Sequence, residues 1–278
     1  MKTFSTNTKA ASSWFTLFRS KSVARLRLIC LPYAGAGAAA WREWPAAVAV
    51  EDQLEVVAIR LPGRENRINE PCATEVAAVI PGMVTALRPL LDLPFVIFGH
   101  SLGAFIAHDL THALADLGCL PNLLVISGAP PPHLPRKSSS VHNLPEKEFR
   151  ECLCRLGGTP PEVLTCHSLM DLLAPVLRAD FRMADTYRRH PAAPLPCPVL
   201  AFSGSNDPLA PPSTVAGWHA LAGAGFTHRT LSGDHFFLHR HRAELIETIL
   251  AHTAVPEHKP SMPIGLTHTP TRCCVLPV

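Results

Sequence analysis

Short runs of wholly apolar residues alternate along this chain with longer stretches whose apolar side chains recur at helical spacing. The short runs predict strands at Arg25–Leu31, Leu54–Ile59, Phe95–Phe98, Leu123–Ser127, Val199–Ser203 and Thr227–Leu231. The longer ones predict helices near Ala38–Val48, Thr74–Leu91, Leu102–Leu117, Pro212–Ala222 and Phe236–Ala251. Strand and helix in alternation predict an α/β domain with a mostly parallel, doubly wound sheet. Strands of that kind are covered on both faces, which is why Val56-Val57-Ala58-Ile59 and Leu123-Leu124-Val125-Ile126 are apolar at every position.

One interval breaks the rhythm. From Pro130 to His190 no good strand is found, and the segment opens on Pro130-Pro131-Pro132. Helical patterns follow at Glu146–Leu156 and Ser168–Tyr187. Roughly sixty residues is far longer than an ordinary connection. The expectation is a helical lid insertion over about residues 130–190, at the strand ends where function collects. The expected organisation is an N-terminal extension over residues 1–20, one domain over 21–254 and a tail over 255–278. The tail carries five prolines and no periodicity, and is expected to be disordered.

Composition narrows the class. Hydrophobic residues make up 47% and charged residues 17%, enough for a substantial core. The net charge of +3 is small and scattered, so nucleic acid is not an expected partner. No apolar run reaches the ~18 residues of a membrane span. The nine cysteines form no CxxC pair, and reduced thiols in a cytoplasmic monomer are the expectation. Residues 1–42 lack acidic side chains and carry several Ser, Thr, Lys and Arg, a composition shared with transit peptides.

The chemistry begins at Gly99-His100-Ser101-Leu102-Gly103, between a predicted strand and a predicted helix. A sharp strand-to-helix turn holds a serine above the sheet, and glycines two residues to either side remove colliding side chains. This nucleophile elbow points to an α/β-hydrolase fold with Ser101 as nucleophile. The helix N-terminus beneath it favours negative charge developing on the reacting oxygen.

Serine needs a base, and in this fold the chain order is Ser, acid, His. Asp207 follows the strand Val199–Ser203, and His235 follows the strand Thr227–Leu231. Both therefore fall at the sheet edge that carries Ser101. Asp234 is the rival acid, but neighbours in sequence point apart, so a turn role is expected for it. The first strand ends in Pro32-Tyr33-Ala34-Gly35-Ala36-Gly37. A backbone N–H there, at Ala34, and that of Leu102 are the expected oxyanion donors.

The same loop admits a different class. Gly35-x-Gly37-x-x-Ala40 after a strand fits a dinucleotide-binding turn, and Arg60 suits a 2′-phosphate. Against an NADP oxidoreductase, no acidic ribose ligand follows the next strand, and Ser101, Asp207 and His235 would be coincidences. No cofactor and no metal is expected.

Several blocks carry a family resemblance: Pro32-Tyr-Ala-Gly35, Leu61-Pro-Gly-Arg-Glu65, Gly99-His-Ser-Leu-Gly103, Gly157-Gly-Thr-Pro160, Leu177-Arg-Ala-Asp-Phe181, Ser203-Gly-Ser-Asn-Asp207 and Gly233-Asp-His-Phe-Phe237. From Ser13 to about residue 250 the chain resembles the type II thioesterases that accompany polyketide and nonribosomal peptide synthetases. The resemblance implies a Ser101-His235-Asp207 triad and Ala34 and Leu102 as oxyanion donors. It also implies a substrate acyl group on the phosphopantetheine arm of an acyl or peptidyl carrier protein. The implied role is editing, the hydrolysis of stalled or wrong acyl groups. The motifs also admit a medium-chain acyl-carrier thioesterase of fatty-acid synthesis, a general esterase, or a carrier-binding scaffold without activity.

Remaining signals are weaker. Arg64, Arg67, Arg136, Lys137, Arg188 and Arg189 would supply a basic face for an acidic carrier domain, or are solvated charge; Arg60, Arg64 and Glu65 would alternatively form a bracing ion pair. His108 and His112 stand four apart, a zinc spacing, but without a third ligand a helix-surface position is expected. Cys273-Cys274 in the tail is read as inert thiols.

Overall fold

The computed structural model describes residues 13–19, 24–47, 54–134, 140–188 and 194–253. Seven strands form one sheet: β1 (Phe15–Arg19), β2 (Leu26–Leu31), β3 (Leu54–Ile59), β4 (Phe95–His100), β5 (Leu123–Ser127), β6 (Val199–Gly204) and β7 (Phe226–Leu231). Their order is β1-β3-β2-β4-β5-β6-β7, parallel throughout except that β1 runs antiparallel to β3.

The helices are α1 (Val76–Leu87), α2 (Leu102–Ala115), α3 (Glu146–Leu156), α4 (Pro161–Thr165), α5 (His167–Thr186), α6 (Pro212–Val215), α7 (Phe237–Arg240) and α8 (Arg242–Thr253). Period-two alternation in the central strands feeds two cores at once. Ile29, Val57, Ile97, Leu124 and Ala201 point to the side covered by α1 and α2. Leu28, Val56, Phe98, Val125 and Leu200 point to the side covered by α8 and by Trp41 and Trp44.

The topology itself locates a crevice. From β2 the chain moves outward to β3 and then returns to the other side of β2 as β4. Loops leaving β2 and β4 therefore diverge, and ligands bind at such a switch point. The Pro32–Gly37 loop and Ser101 sit there. At the opposite end of the sheet, Arg27 on β2 bonds its register partner Glu55 on β3 at 2.6 Å and also pairs with Asp92.

Two expected helices shortened. The stretch at Ala38–Val48 forms a single tight 3-10 turn at Ala38–Trp41, followed by turns that bury Trp41 and Trp44. Pro45 removes the N–H needed to continue. The stretch at Pro212–Ala222 forms α6 and a 3-10 run. The edge strand β1 and the short α4 were not expected.

The long segment between β5 and β6 contains α3, α4 and α5. Helix α3 has Glu146 and Glu148 in its first turn and Arg155 in its last, which suits the helix dipole. Gly157 ends it in the left-handed region, where its N–H reaches the carbonyls of Leu153 and Cys154. The apolar faces of α3 and α5 meet in a small core of Phe149, Leu153, Met170 and Leu177. Arg178 stacks 4.1 Å over Phe149 and bonds the carbonyls of His142 and Leu144, tying the start of the segment to α5. Residues 254–278, with Cys273-Cys274, lie outside the described residues.

Candidate active site

Ser101 stands between the last residue of β4 and the first of α2, with φ 54° and ψ −118°. This is a strained backbone for a residue with a Cβ, and such strain persists only where neighbours over-determine it. The Ser101 N–H donates to the Ser127 carbonyl at 2.9 Å, and its own carbonyl accepts from Ala104 at 3.0 Å. A Cβ on Gly99 would lie 2.2 Å from the Gly103 carbonyl oxygen, and one on Gly103 would lie 2.5 Å from that of Leu31. Both obstacles are backbone, so the two glycines are required by contact.

His235 follows β7 and is buried; its Nδ1 lies 2.8 Å from Oδ2 of Asp207. Asp207 follows β6. Its other oxygen, Oδ1, accepts the N–H groups of Leu209 at 2.8 Å and Ala210 at 3.1 Å. The carboxylate is thus fixed by its own turn before it meets the imidazole. Asp234 is exposed and accepts the Phe236 N–H at 2.9 Å, a turn contact.

Ser101 and His235 line one small cavity of about 40 Å³. Tyr33 and Ala34 supply its wall from the β2 loop, Leu153 and Leu156 from α3, and Leu177 and Phe181 from α5. Among the described residues no acceptor takes the N–H of Ala34 or of Leu102.

The residue between Gly99 and Ser101 was not anticipated. His100 is fully buried, and its ring centre is 4.9 Å from that of His235. Its Nδ1 is 2.9 Å from Ser127 Oγ. Burial, reinforced by the adjacent imidazoles of His235 and His239, holds its basicity well below the ordinary histidine range. It is a neutral wall behind His235. Gly128 (φ 57°) makes room for the His100 ring: a Cβ there would come within 2.7 Å of His100 Cε1.

The basic residues sort differently from the docking expectation. Arg64 and Arg67 are buried and are not part of any exposed face. Arg64 grips Asp180 of α5 with two parallel bonds of 2.7 and 2.8 Å and also donates to the Ala36 carbonyl. Arg67 stacks 3.8 Å over Trp14 and pairs with Glu70. Arg188 is exposed; Arg136, Lys137 and Arg189 lie outside the described residues. Sequence reading missed Asp180, although it sits inside the Leu177–Phe181 block.

The dinucleotide alternative loses its physical basis. The chain after Gly37 makes only the 3-10 turn, so no long helix N-terminus faces a pyrophosphate. A Cβ on Gly37 would strike Glu65 Oε1 at 2.4 Å, and Arg60 is occupied by Glu65, Thr16 and the Ser13 carbonyl. His108 is buried rather than on the helix surface, with Nδ1 2.9 Å from the Tyr187 hydroxyl, which itself donates to Asp109. Among the described residues no group of three potential ligands is placed to hold a metal ion, and no helix is long and apolar enough to cross a membrane.

Comparison with known proteins agrees with this geometry. A family model for the thioesterase domain matches residues 26–253. The gramicidin S biosynthesis protein GrsT of Aneurinibacillus migulanus is 36% identical over 237 residues, spanning 85% of this chain and 92% of that protein. The medium-chain S-acyl fatty acid synthase thioesterase of Rattus norvegicus is 33% identical over 218 residues, spanning 76% and 81%. Among solved structures, the type II thioesterase BorB from the borrelidin biosynthetic cluster superimposes with a TM-score of 0.79 at 32% identity, covering 86% of this chain and 97% of that one. A seven-stranded sheet of the α/β-hydrolase type, a serine at its switch point and a family match along most of its length make this chain a member of the thioesterase family.

Proposed function

We propose that the chain hydrolyses acyl thioesters carried on the phosphopantetheine arm of acyl or peptidyl carrier domains, clearing stalled or wrong acyl groups from polyketide or nonribosomal peptide assembly. Ser101 is the nucleophile, His235 the base and Asp207 the residue that orients the imidazole. The observation that carries this reading is the 2.8 Å contact of His235 with Asp207 beside a strained Ser101 lining the same cavity.

The steps follow from the residues. With Nδ1–H given to Asp207, the His235 Nε2 is an acceptor and takes the Ser101 proton as Oγ attacks the acyl carbon. The carbonyl oxygen becomes an oxyanion facing the N–H groups of Ala34 and Leu102, at the positive end of α2. The tetrahedral centre collapses, the C–S bond breaks, and the imidazolium returns its proton to the departing thiol. Water then attacks the acyl-serine with the same imidazole as base, releasing the acid and restoring Ser101.

The walls above Ser101 include the apolar side chains of Leu153, Leu156, Leu177 and Phe181, which suit the hydrocarbon part of an acyl group.

The test is a hydrolysis panel of short and medium acyl groups on a carrier protein, on CoA and as oxygen esters, run with wild type and Ser101→Ala. Carrier thioesters should turn over fastest, and the variant should lose activity. Wild-type turnover by Ser101→Ala, or preference for oxygen esters, would overturn the proposal.

A further inference from the structure

Helix α5 meets the β2 loop at Gly35. The Asp180 carboxylate is fully buried, and its Oδ2 accepts the Gly35 N–H at 2.8 Å. Leu177, one turn earlier, packs so closely that a Cβ on Gly35 would lie 2.6 Å from its Cδ2. Gly35 itself is in the left-handed region at φ 78°, so it fixes the turn that aims the preceding peptide. Asp180 is held in turn by Arg64, through bonds of 2.8 and 2.7 Å, and Arg64 also donates to the Ala36 carbonyl.

A buried carboxylate is costly unless it is paired and hydrogen-bonded, and here a bidentate guanidinium and one backbone N–H give it three bonds. The bidentate pair leaves the carboxylate little freedom to turn, so the third bond has a defined direction. That third bond goes to the residue next to Ala34, which lines the cavity. We propose that Asp180 is a positioning residue for the thioesterase reaction: through Gly35 it sets the direction of the Ala34 N–H, so that the oxyanion donors are assembled only while α5 is docked.

This inference rests on the proposed role of Ala34 as an oxyanion donor. Its consequence is that the helical segment does more than cover the acyl group. Moving α5 away breaks the contact that aims the loop, so an uncovered site is also a poorly catalytic one. Water reaching an undocked site then meets a serine with half its oxyanion support.

The test uses the full chain, a short acyl thioester of N-acetylcysteamine, and a boronic acid that forms a tetrahedral adduct on an active serine. Asp180→Asn keeps the volume but loses the charge pairing with Arg64. It should lower kcat by about a hundredfold, as a misplacement of about 1 Å at the reacting centre does. KM should change little, and boronate affinity should fall in step with kcat. Because one unpaired charge in a buried pair can prevent folding, a second variant, Arg64→Met with Asp180→Leu, removes both charges and the Gly35 acceptor together. It should show the same kcat loss while melting cooperatively. Folded variants with wild-type kcat and boronate affinity would overturn the inference, as would a loss confined to KM or to Tm. A fluorophosphonate separates the two readings: if wild type fails to label at Ser101, the serine mechanism itself falls, whereas labelling in wild type with no kcat change in the variants removes only the role of Asp180.

Discussion

The Nδ1 atom of His235 lies 2.8 Å from Oδ2 of Asp207, while Oδ1 of the same carboxylate is already held by the N–H groups of Leu209 and Ala210. An amide at position 207 would keep those turn contacts only by presenting its NH2 to the imidazole. His235 would then be driven to the tautomer that cannot accept from serine. Asp207→Asn should therefore lower kcat by about 10³–10⁴ with little change in KM. Asp234→Asn, which alters only an exposed turn, should stay within a few-fold of wild type. Steady-state kinetics on a carrier-bound short acyl thioester checks both; equal losses in the two variants would make Asp207 no more special than its rival.

The close contact of Gly103 with the Leu31 carbonyl predicts a stability effect separate from chemistry. In Gly103→Ala the new methyl would sit 2.5 Å from a backbone oxygen of β2, an atom with no rotamer to change. Overpacking of this kind costs about 1–3 kcal/mol. Thermal melting should show a lower Tm, and any folded fraction should label slowly with a fluorophosphonate because the elbow has shifted.

His100 predicts a pH dependence. Its buried ring resists protonation in the folded chain, whereas in the unfolded chain it titrates near the ordinary value of about 6.5. Below that pH the unfolded state binds a proton that the folded state refuses. Stability is therefore complete above about pH 6.5 and falls as the pH drops, by up to about 1.4 kcal/mol per unit for this one group. His228 and His239 are also held low, chiefly by burial, and add to the same slope. Denaturant midpoints measured from pH 7.5 to 5 should decline, and His100→Asn should flatten the decline. An unchanged slope in that variant would assign the effect elsewhere.

At the far end of the sheet, the buried Arg27 and Glu55 make a prediction about folding alone. Among the described residues, Glu55→Gln leaves the Arg27 guanidinium with Asp92, whose side chain is 66% exposed, as its charged partner. Breaking a buried pair from one side costs about 3–5 kcal/mol, and the surviving contact puts this case at the lower end. Replacing both with Arg27→Met and Glu55→Leu should cost less. Chemical denaturation of the three proteins orders them.

Much of this was readable in the sequence, and the exceptions share a cause. The six parallel strands were legible because burial on both faces makes them apolar at every position, as in Val56–Ile59. Strand β1 was not, because Phe15–Arg19 mixes polar and apolar residues and becomes a strand only by pairing with β3. The strand-end placement of Ser101, Asp207 and His235 was legible because chain order and strand ends restrict where these residues can stand. The sequence leaves Arg64 either on a basic face or in a brace with Arg60 and Glu65, since a lone arginine gives no hint of its partner, here Asp180, 116 residues away. Asp180 and His100 act only through tertiary contacts, and no spacing rule marks such residues.

The cavity wall yields the last prediction, on specificity. Leu156 lines the space above Ser101 from the last turn of α3, and is only partly buried, so truncating it disturbs little of the core. Leu156→Ala opens volume next to the acyl chain without touching the Asp180 contact. An added methylene accommodated in an apolar pocket is worth about 1–3 kcal/mol, or roughly 10–200-fold in kcat/KM. A partly exposed site should realise the lower part of that range. The ratio of kcat/KM for butyryl to that for acetyl thioesters should therefore rise by about tenfold, mostly through faster butyryl turnover. If the ratio is unchanged while the variant folds normally, the acyl chain does not run between Ser101 and α3, and the wall that selects it lies on α5.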